Sequence, residues 1–159
     1  MLMHYCYVES PVGRLLVAGD EAGLRYISFP RGKSPLRPES TWKEDRHALG
    51  EAVNQLNAYF EGELKAFSLK LAPRGTPFQL SVLRVLQEIP YGETIAYGEV
   101  ARRIGRPNAS RAVGTANARN PLPIVIPCHR VIGSDGSLTG FGGGLDVKKA
   151  LLELERKYR

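Results

Sequence analysis

Short runs of apolar and polar residues alternate at the start of the chain. Tyr5 to Val8, Leu15 to Ala18 and Leu24 to Phe29 each read as a strand, separated by turn signals at Ser10-Pro11-Val12-Gly13 and Gly19-Asp20-Glu21-Ala22-Gly23. Together they predict a small antiparallel meander. Arg31 to Thr41, rich in Pro, Arg, Lys and Ser, offers little to bury and reads as an exposed loop. The period then changes: between Asp45 and Glu61, Leu49, Val53, Leu56 and Phe60 recur at helical spacing, with Gly62 placed to end the element. The apolar side of this helix should cover the meander. A short strand is expected from Phe67 to Leu71, and the Pro- and Gly-containing stretch that follows it reads as a linker.

The second half is mostly helical in pattern. Phe78, Val82, Val85 and Ile89 form a stripe on a helix that starts at Pro77 or Phe78 and is broken by Pro90-Tyr91-Gly92. Thr94 is placed to cap a helix with Tyr97, Val100, Ala101 and Ile104 on its inner face; Gly105 stops it, and Arg106-Pro107-Asn108 turns the chain into a helix from Ala109 to Ala118. That is a helix-turn-helix shape. Its second helix is built from Ala109, Ser110, Ala112, Gly114, Thr115, Ala116 and Ala118, so Arg111 is its long projecting side chain. Such a slim helix suits tight helix packing, and equally suits close approach to a DNA groove with one Arg reaching into the base stack. Ile124-Val125-Ile126 reads as a strand ended by Pro127, and Val147, Leu151, Leu154 and Tyr158 mark the buried stripe of a C-terminal helix. The expected fold class is α/β of the α+β type: a small N-terminal antiparallel sheet with a covering helix over residues 1–72, a linker at 73–77, and a mostly helical C-terminal domain with a helix-turn-helix over 78–159.

Composition narrows the partners. With 159 residues, 43% of them hydrophobic, the chain can bury a core as one domain or two small ones. Its net charge of +6 favours an anionic partner, nucleic acid first, although mild basicity also serves solubility alone. Cys6 and Cys128 are too few for a disulfide framework and neither lies in a CxxC arrangement. The start has no basic leader pattern, and nowhere do eighteen apolar residues follow one another. A soluble cytoplasmic protein with no membrane association is therefore expected.

The candidate chemistry lies around Cys128. A cysteine becomes a strong nucleophile when a base or positive charge favours its thiolate, and His129 and Arg130 offer both, although an adjacent Cys-His pair also arises by chance. Asn120-Pro121-Leu122-Pro123 upstream is a rigid turn whose Asn side chain can fix the Cys segment. Glu155 sits at the margin of the C-terminal stripe, where a half-buried carboxylate can orient an imidazole for proton transfer. Glycines around Phe141 would let backbone N–H groups approach a flat ligand.

Pro127-Cys128-His129-Arg130-Val131, with Arg111-Ala112-Val113-Gly114, Asn120-Pro121 and Gly143-Gly144-Leu145, resembles the O6-alkylguanine-DNA alkyltransferase family over about the whole chain, most strongly from Thr76 onward. The resemblance implies a ribonuclease-H-like N-terminal domain and DNA repair by irreversible transfer of an alkyl group from O6 of guanine, with O4-alkylthymine as a further candidate, to Cys128. It implies that His129 is the base through a bridging water, Glu155 the carboxylate behind it, Tyr97 a donor to the flipped guanine and Asn120 the hinge. Arg111 would be the finger replacing the extruded base, on a helix that presents Ala109, Ser110, Ala112 and Thr115 to the minor groove. The pocket would include Pro123, Phe141, Gly142 and Val131, with the Cys128 and Val131 carbonyls accepting from the guanine amino group. The family often has Tyr-Ser where this chain has Phe141-Gly142, and Trp at Leu83, which puts alkyl preference in question. Asp20 stands where some relatives carry a zinc-binding Cys, and Cys6, His4 and His47 make no convincing ligand set, so no metal and no cofactor is expected. The implied partner is double-stranded DNA carrying O6-alkylguanine, bound by a monomer, with cooperative binding left open. Two other readings remain: a non-catalytic lesion-recognition or helix-turn-helix regulatory protein on the same scaffold, and a Cys-His hydrolase, which would turn over.

Overall fold

Strands β1 (His4–Val8), β2 (Leu15–Asp20) and β3 (Gly23–Ser28) form the expected antiparallel meander in the computed structural model, which describes residues 1–32 and 35–159. Lys33 and Ser34, part of the loop expected between Arg31 and Thr41, lie outside the described residues. Alternation puts Cys6, Val8, Leu15, Val17, Leu24 and Ile27 into the core. A fourth strand, β4 (Lys43–Glu44), pairs in parallel with β1 and gives the order β3-β2-β1-β4. Two exposed charged residues carry no strand pattern, so this edge was not legible from the sequence.

The covering helix α1 spans Gly50–Phe60, behind a 3₁₀ turn at His47–Leu49 where Asp45 accepts from the Ala48 N–H at 3.1 Å. It buries Val53 and Leu56 as expected, but it is Tyr59 that goes fully inside while Phe60 is half-buried. The strand expected at Phe67 to Leu71 reduces to a single bridge between Leu71 and Leu24, because only the backbone of Lys70 and Ala72 reaches β3.

Helix α2 (Pro77–Leu86) starts with a capping box in which Thr76 and Gln79 serve each other's backbone N–H, and ends a turn earlier than its stripe suggested. Ile89 is buried, but in the turn beyond it. Thr94 does not cap the next helix: the chain first makes β5 (Ile95–Ala96), and Ala96 is the N-cap of α3 (Tyr97–Arg103). Gly105, at φ 78°, takes the left-handed conformation that ends the helix, and α4 (Ser110–Ala118) follows as the second helix of the pair. Pairing of β5 with β6 (Val131–Ile132) explains why Thr94 lost its cap role: Ile95 and Ala96 are drawn into a parallel two-stranded ladder.

Ile124-Val125-Ile126 is not a strand. Ile124 has φ 76° and the Ile126 N–H bonds back to the Leu122 carbonyl at 2.8 Å, so the apolar run is a buried turn. Cys128 consequently sits not at a strand end but at the start of a 3₁₀ turn, Cys128–Arg130, leading into β6. Helix α5 (Leu145–Tyr158) closes the structure; Val147 and Leu151 are buried, Leu154 and Tyr158 only partly. One continuous core joins the meander and α1 to the helices of the second half.

Candidate active site

The turn that carries Cys128 is fixed from several sides. The Asn120 side chain donates from Nδ2 to the Ile126 carbonyl at 2.8 Å and accepts from the Leu122 N–H at 3.0 Å, spanning the turn as a brace. From α4, Asn117 donates to the Cys128 carbonyl at 3.2 Å. Ile27 at the end of β3 donates to the Pro121 carbonyl at 2.9 Å, tying the N-terminal sheet to the entry of the turn. Only 3% of Cys128 is exposed, and it lies in the wall of a cavity of about 1040 Å³. Burial pushes its thiol up to about 11, against the pull of the Asn120 hydrogen bond and the Lys148 charge. Burial thus favours the thiol at rest, so the thiolate has to be freed by a base.

His129 is wholly buried, and Nε2 lies 2.7 Å from Glu155 Oε2. Burial lowers its pKa, opposed by Glu155, so the ring is neutral at physiological pH and Nε2–H donates to the carboxylate. That tautomer leaves Nδ1 with a free lone pair, and Nδ1 is a buried atom without a partner among the described residues. A proton acceptor is thus ready on the residue next to the sulfur.

Glu155 is not at a half-buried margin as expected but fully buried, a difference explained by its partners. Oε2 accepts from Tyr59 Oη at 2.6 Å and Arg130 Nη2 at 2.9 Å besides His129; Oε1 accepts from Arg130 Nε at 2.8 Å and the Gly92 N–H at 3.0 Å. Burial alone would raise its pKa, but the His129 and Arg130 hydrogen bonds and the Arg130 charge outweigh it and hold the carboxyl well below the usual range. Arg130 is accordingly spent on Glu155 and the Ile89 carbonyl, 2.7 Å from Nη1.

The charge facing the sulfur comes from Lys148, fully buried on α5, whose Nζ donates to the Val131 carbonyl at 2.6 Å and the Thr139 carbonyl at 2.9 Å. Sequence reasoning missed Lys148, Asn117 and Tyr59. A signal existed: Lys148, Leu151 and Glu155 share one helical face, and Asn117 follows Val113 by one turn.

Tyr97, Ser110, Arg111, Thr115, Asn120, Pro123, Phe141 and Gly142 all line the cavity with Cys128. Ala109 is the N-cap of α4, and Ala112 is exposed on that helix away from the cavity lining. Val131 is buried outside the lining, and its carbonyl already serves Lys148. The Tyr97 hydroxyl donates to the Thr139 carbonyl at 2.8 Å, so giving that proton to a ligand requires it to turn away, at little cost because Lys148 still serves the carbonyl. Asp20 pairs with Arg25 at 3.1 Å. No helix among the described residues is long and apolar enough to cross a membrane.

Known proteins resemble the chain over its whole length. The family model for the 6-O-methylguanine DNA methyltransferase ribonuclease-like domain matches residues 3–73, and that for the DNA binding domain of the same proteins matches residues 77–157. A methylated-DNA–protein-cysteine methyltransferase of Methanosarcina acetivorans is 57% identical over 153 residues, 96% of this chain and 98% of the relative. One from Mycolicibacterium paratuberculosis is 51% identical over 158 residues, 99% and 94% of the two chains. The crystal structure of Mycobacterium tuberculosis OGT in complex with DNA superposes with a TM-score of 0.91 at 50% identity, covering 98% of this chain and 94% of that one.

Proposed function

Because the chain belongs to the 6-O-methylguanine DNA methyltransferase family, we infer that it repairs DNA by taking the alkyl group from O6 of a damaged guanine onto its own Cys128, once per molecule. The observation that carries the assignment to Cys128 is its place in the cavity wall, directly before His129, whose Nδ1 is buried and unpartnered among the described residues while Nε2 is fixed on the Glu155 carboxylate.

The lesion must leave the base stack to reach a sulfur this deep. Arg111, exposed on α4 at the cavity, is the side chain to fill the vacated place. With the base in the cavity, the Cys128 S–H proton passes to His129 Nδ1 through one water, and Glu155 holds the imidazolium that results. The sulfur lone pair forms the S–C bond as the C–O6 bond breaks, and the bonding pair stays with guanine, which takes up a proton from solvent, directly or through the Tyr97 hydroxyl, which regains its own proton from solvent. The His129 proton is released to solvent, so the products are a thioether and normal guanine. A thioether is not a leaving group for any step available here, so the protein is consumed. Lys148 supports the nascent thiolate by its charge, and positioning supplies the rest. The reaction needs a reduced thiol, and both cysteines are unpaired, which suits the cytoplasm.

Mass spectrometry after mixing with a duplex containing O6-methylguanine tests this: one methyl gain, confined to the Cys128 peptide and absent in Cys128→Ala, is expected. Binding without mass gain would mean a recognition protein, and more than one product per protein a hydrolase; either result sinks the assignment.

A further inference from the structure

The glycine-rich segment that lines the cavity with Cys128 has little of its own to fix its shape beyond the turn bond from the Gly144 N–H to the Phe141 carbonyl at 3.0 Å. Between Gly140 and Gly144 only Phe141 has a side chain, so its position is set by what Phe141 and the bare backbone rest upon. They rest on the N-terminal half. The Phe29 and Phe141 rings stand 5.6 Å apart at 55°, a tilted aromatic contact, and both are nearly fully buried. Gly143 passes so close to Phe29 that a Cβ there would lie 2.5 Å from the ring. Three residues on, Gly32 approaches the Gly142 backbone closely enough to leave no room for a side chain.

Phe29 follows Ile27 by two residues, and Ile27 is bonded to the Pro121 carbonyl at 2.9 Å, on the turn that carries Cys128. The end of β3 therefore touches both walls of the cavity: the cysteine wall through Ile27, the glycine-loop wall through Phe29. Phe29, Phe141, Gly142 and Cys128 all face the same cavity. Resting on the alkyl-transfer reading above, we propose that Phe29 is a specificity-determining residue that fixes the gap between the two walls and so limits the size of the alkyl group that reaches Cys128. A methyl group presses little on the loop, whereas a benzyl group that pushes against it must work against the packed Phe29–Phe141 contact, which is lost when the loop lifts.

Single-turnover rates at Cys128 on duplexes carrying O6-methylguanine or O6-benzylguanine, for wild type, Phe29→Ala and Phe29→Leu, test the proposal. The benzyl-to-methyl rate ratio is expected to rise about tenfold over wild type in Phe29→Ala, with a smaller rise in Phe29→Leu. Damage to stability alone would slow both substrates together and leave the ratio unchanged; that result, or a fall in the ratio, overturns the role given to Phe29. If Phe29→Ala does not fold, the Leu variant decides by the same criterion. Absence of methyl transfer in the wild type is a separate outcome, which removes the alkyl-transfer reading and the proposal with it.

Discussion

A sulfur that must attack carbon is held here where its anion is unwelcome. Burial keeps Cys128 a thiol with a pKa of about 11, so its reactivity toward a small reagent is governed by the scarce thiolate. Modification of Cys128 by iodoacetamide is expected to accelerate about tenfold per pH unit from neutrality to pH ~10 with no plateau. A plateau near pH 7 in peptide-resolved mass spectrometry would show a stabilised resting thiolate and contradict the proton-transfer step. Glu155 is the second residue whose environment fixes its behaviour. Replacing it by Gln leaves Arg130 and Tyr59 facing a neutral amide in a buried place, at a cost of about 3–5 kcal/mol. The sign of the pH effect follows from the lowered carboxyl: its stabilisation is present above the unfolded pKa of about 4.3 and is lost as pH falls through the lower native value. The gap in denaturation midpoint between wild type and Glu155→Gln is thus expected to be full at pH 7 and to shrink below about pH 4; a gap independent of pH would refute the ionised pairing.

Helix α4 and the Cys128 turn show what an element's sequence reveals. The small residues of α4 announced both its helical state and its thinness, and it lies at the cavity with Ser110, Arg111 and Thr115 on the lining. Because Arg111 is exposed and makes no ion pair among the described residues, Arg111→Ala is expected to leave the melting temperature unchanged. It should slow repair of O6-methylguanine in duplex DNA about tenfold while hardly changing the reaction with the free modified base, which needs no extrusion. Equal slowing of both substrates would assign Arg111 to the chemistry instead. The meander and the long helices were legible because burial imposes a period on them. Ile124-Val125-Ile126 misled for the same reason: a short apolar run has no period, and a buried turn looks like a buried strand until Asn120 is seen bracing it. Lys148 was hidden because a lysine on a helix reads as surface, and only the carbonyls of Val131 and Thr139, brought from elsewhere in the chain, satisfy its ammonium inside.

Two regions matched by separate family models, residues 3–73 and 77–157, share one core, and the contacts that join them run through the site itself. Tyr59 on α1 reaches Glu155 on α5 at 2.6 Å, Ile27 reaches Pro121, and Phe29 packs on Phe141. Burial raises the Tyr59 hydroxyl pKa, with Glu155 adding to it, so Tyr59 stays a neutral donor across the working range. The half that carries no nucleophile thereby contributes a hydrogen bond to the carboxylate that orients the base. Cooperative unfolding of both halves follows, since neither can open without stranding a buried polar group in the other. Calorimetry is expected to give one transition in the wild type. Tyr59→Phe should lower that same transition as a unit by about 1–3 kcal/mol, the cost of an unmade buried hydrogen bond, without splitting it. It should also slow methyl transfer only slightly, because Arg130 and the Gly92 N–H still hold the carboxylate beside His129. Two transitions, with Tyr59→Phe moving only one of them, would show that the halves fold independently and that the link through Glu155 carries no energy between them.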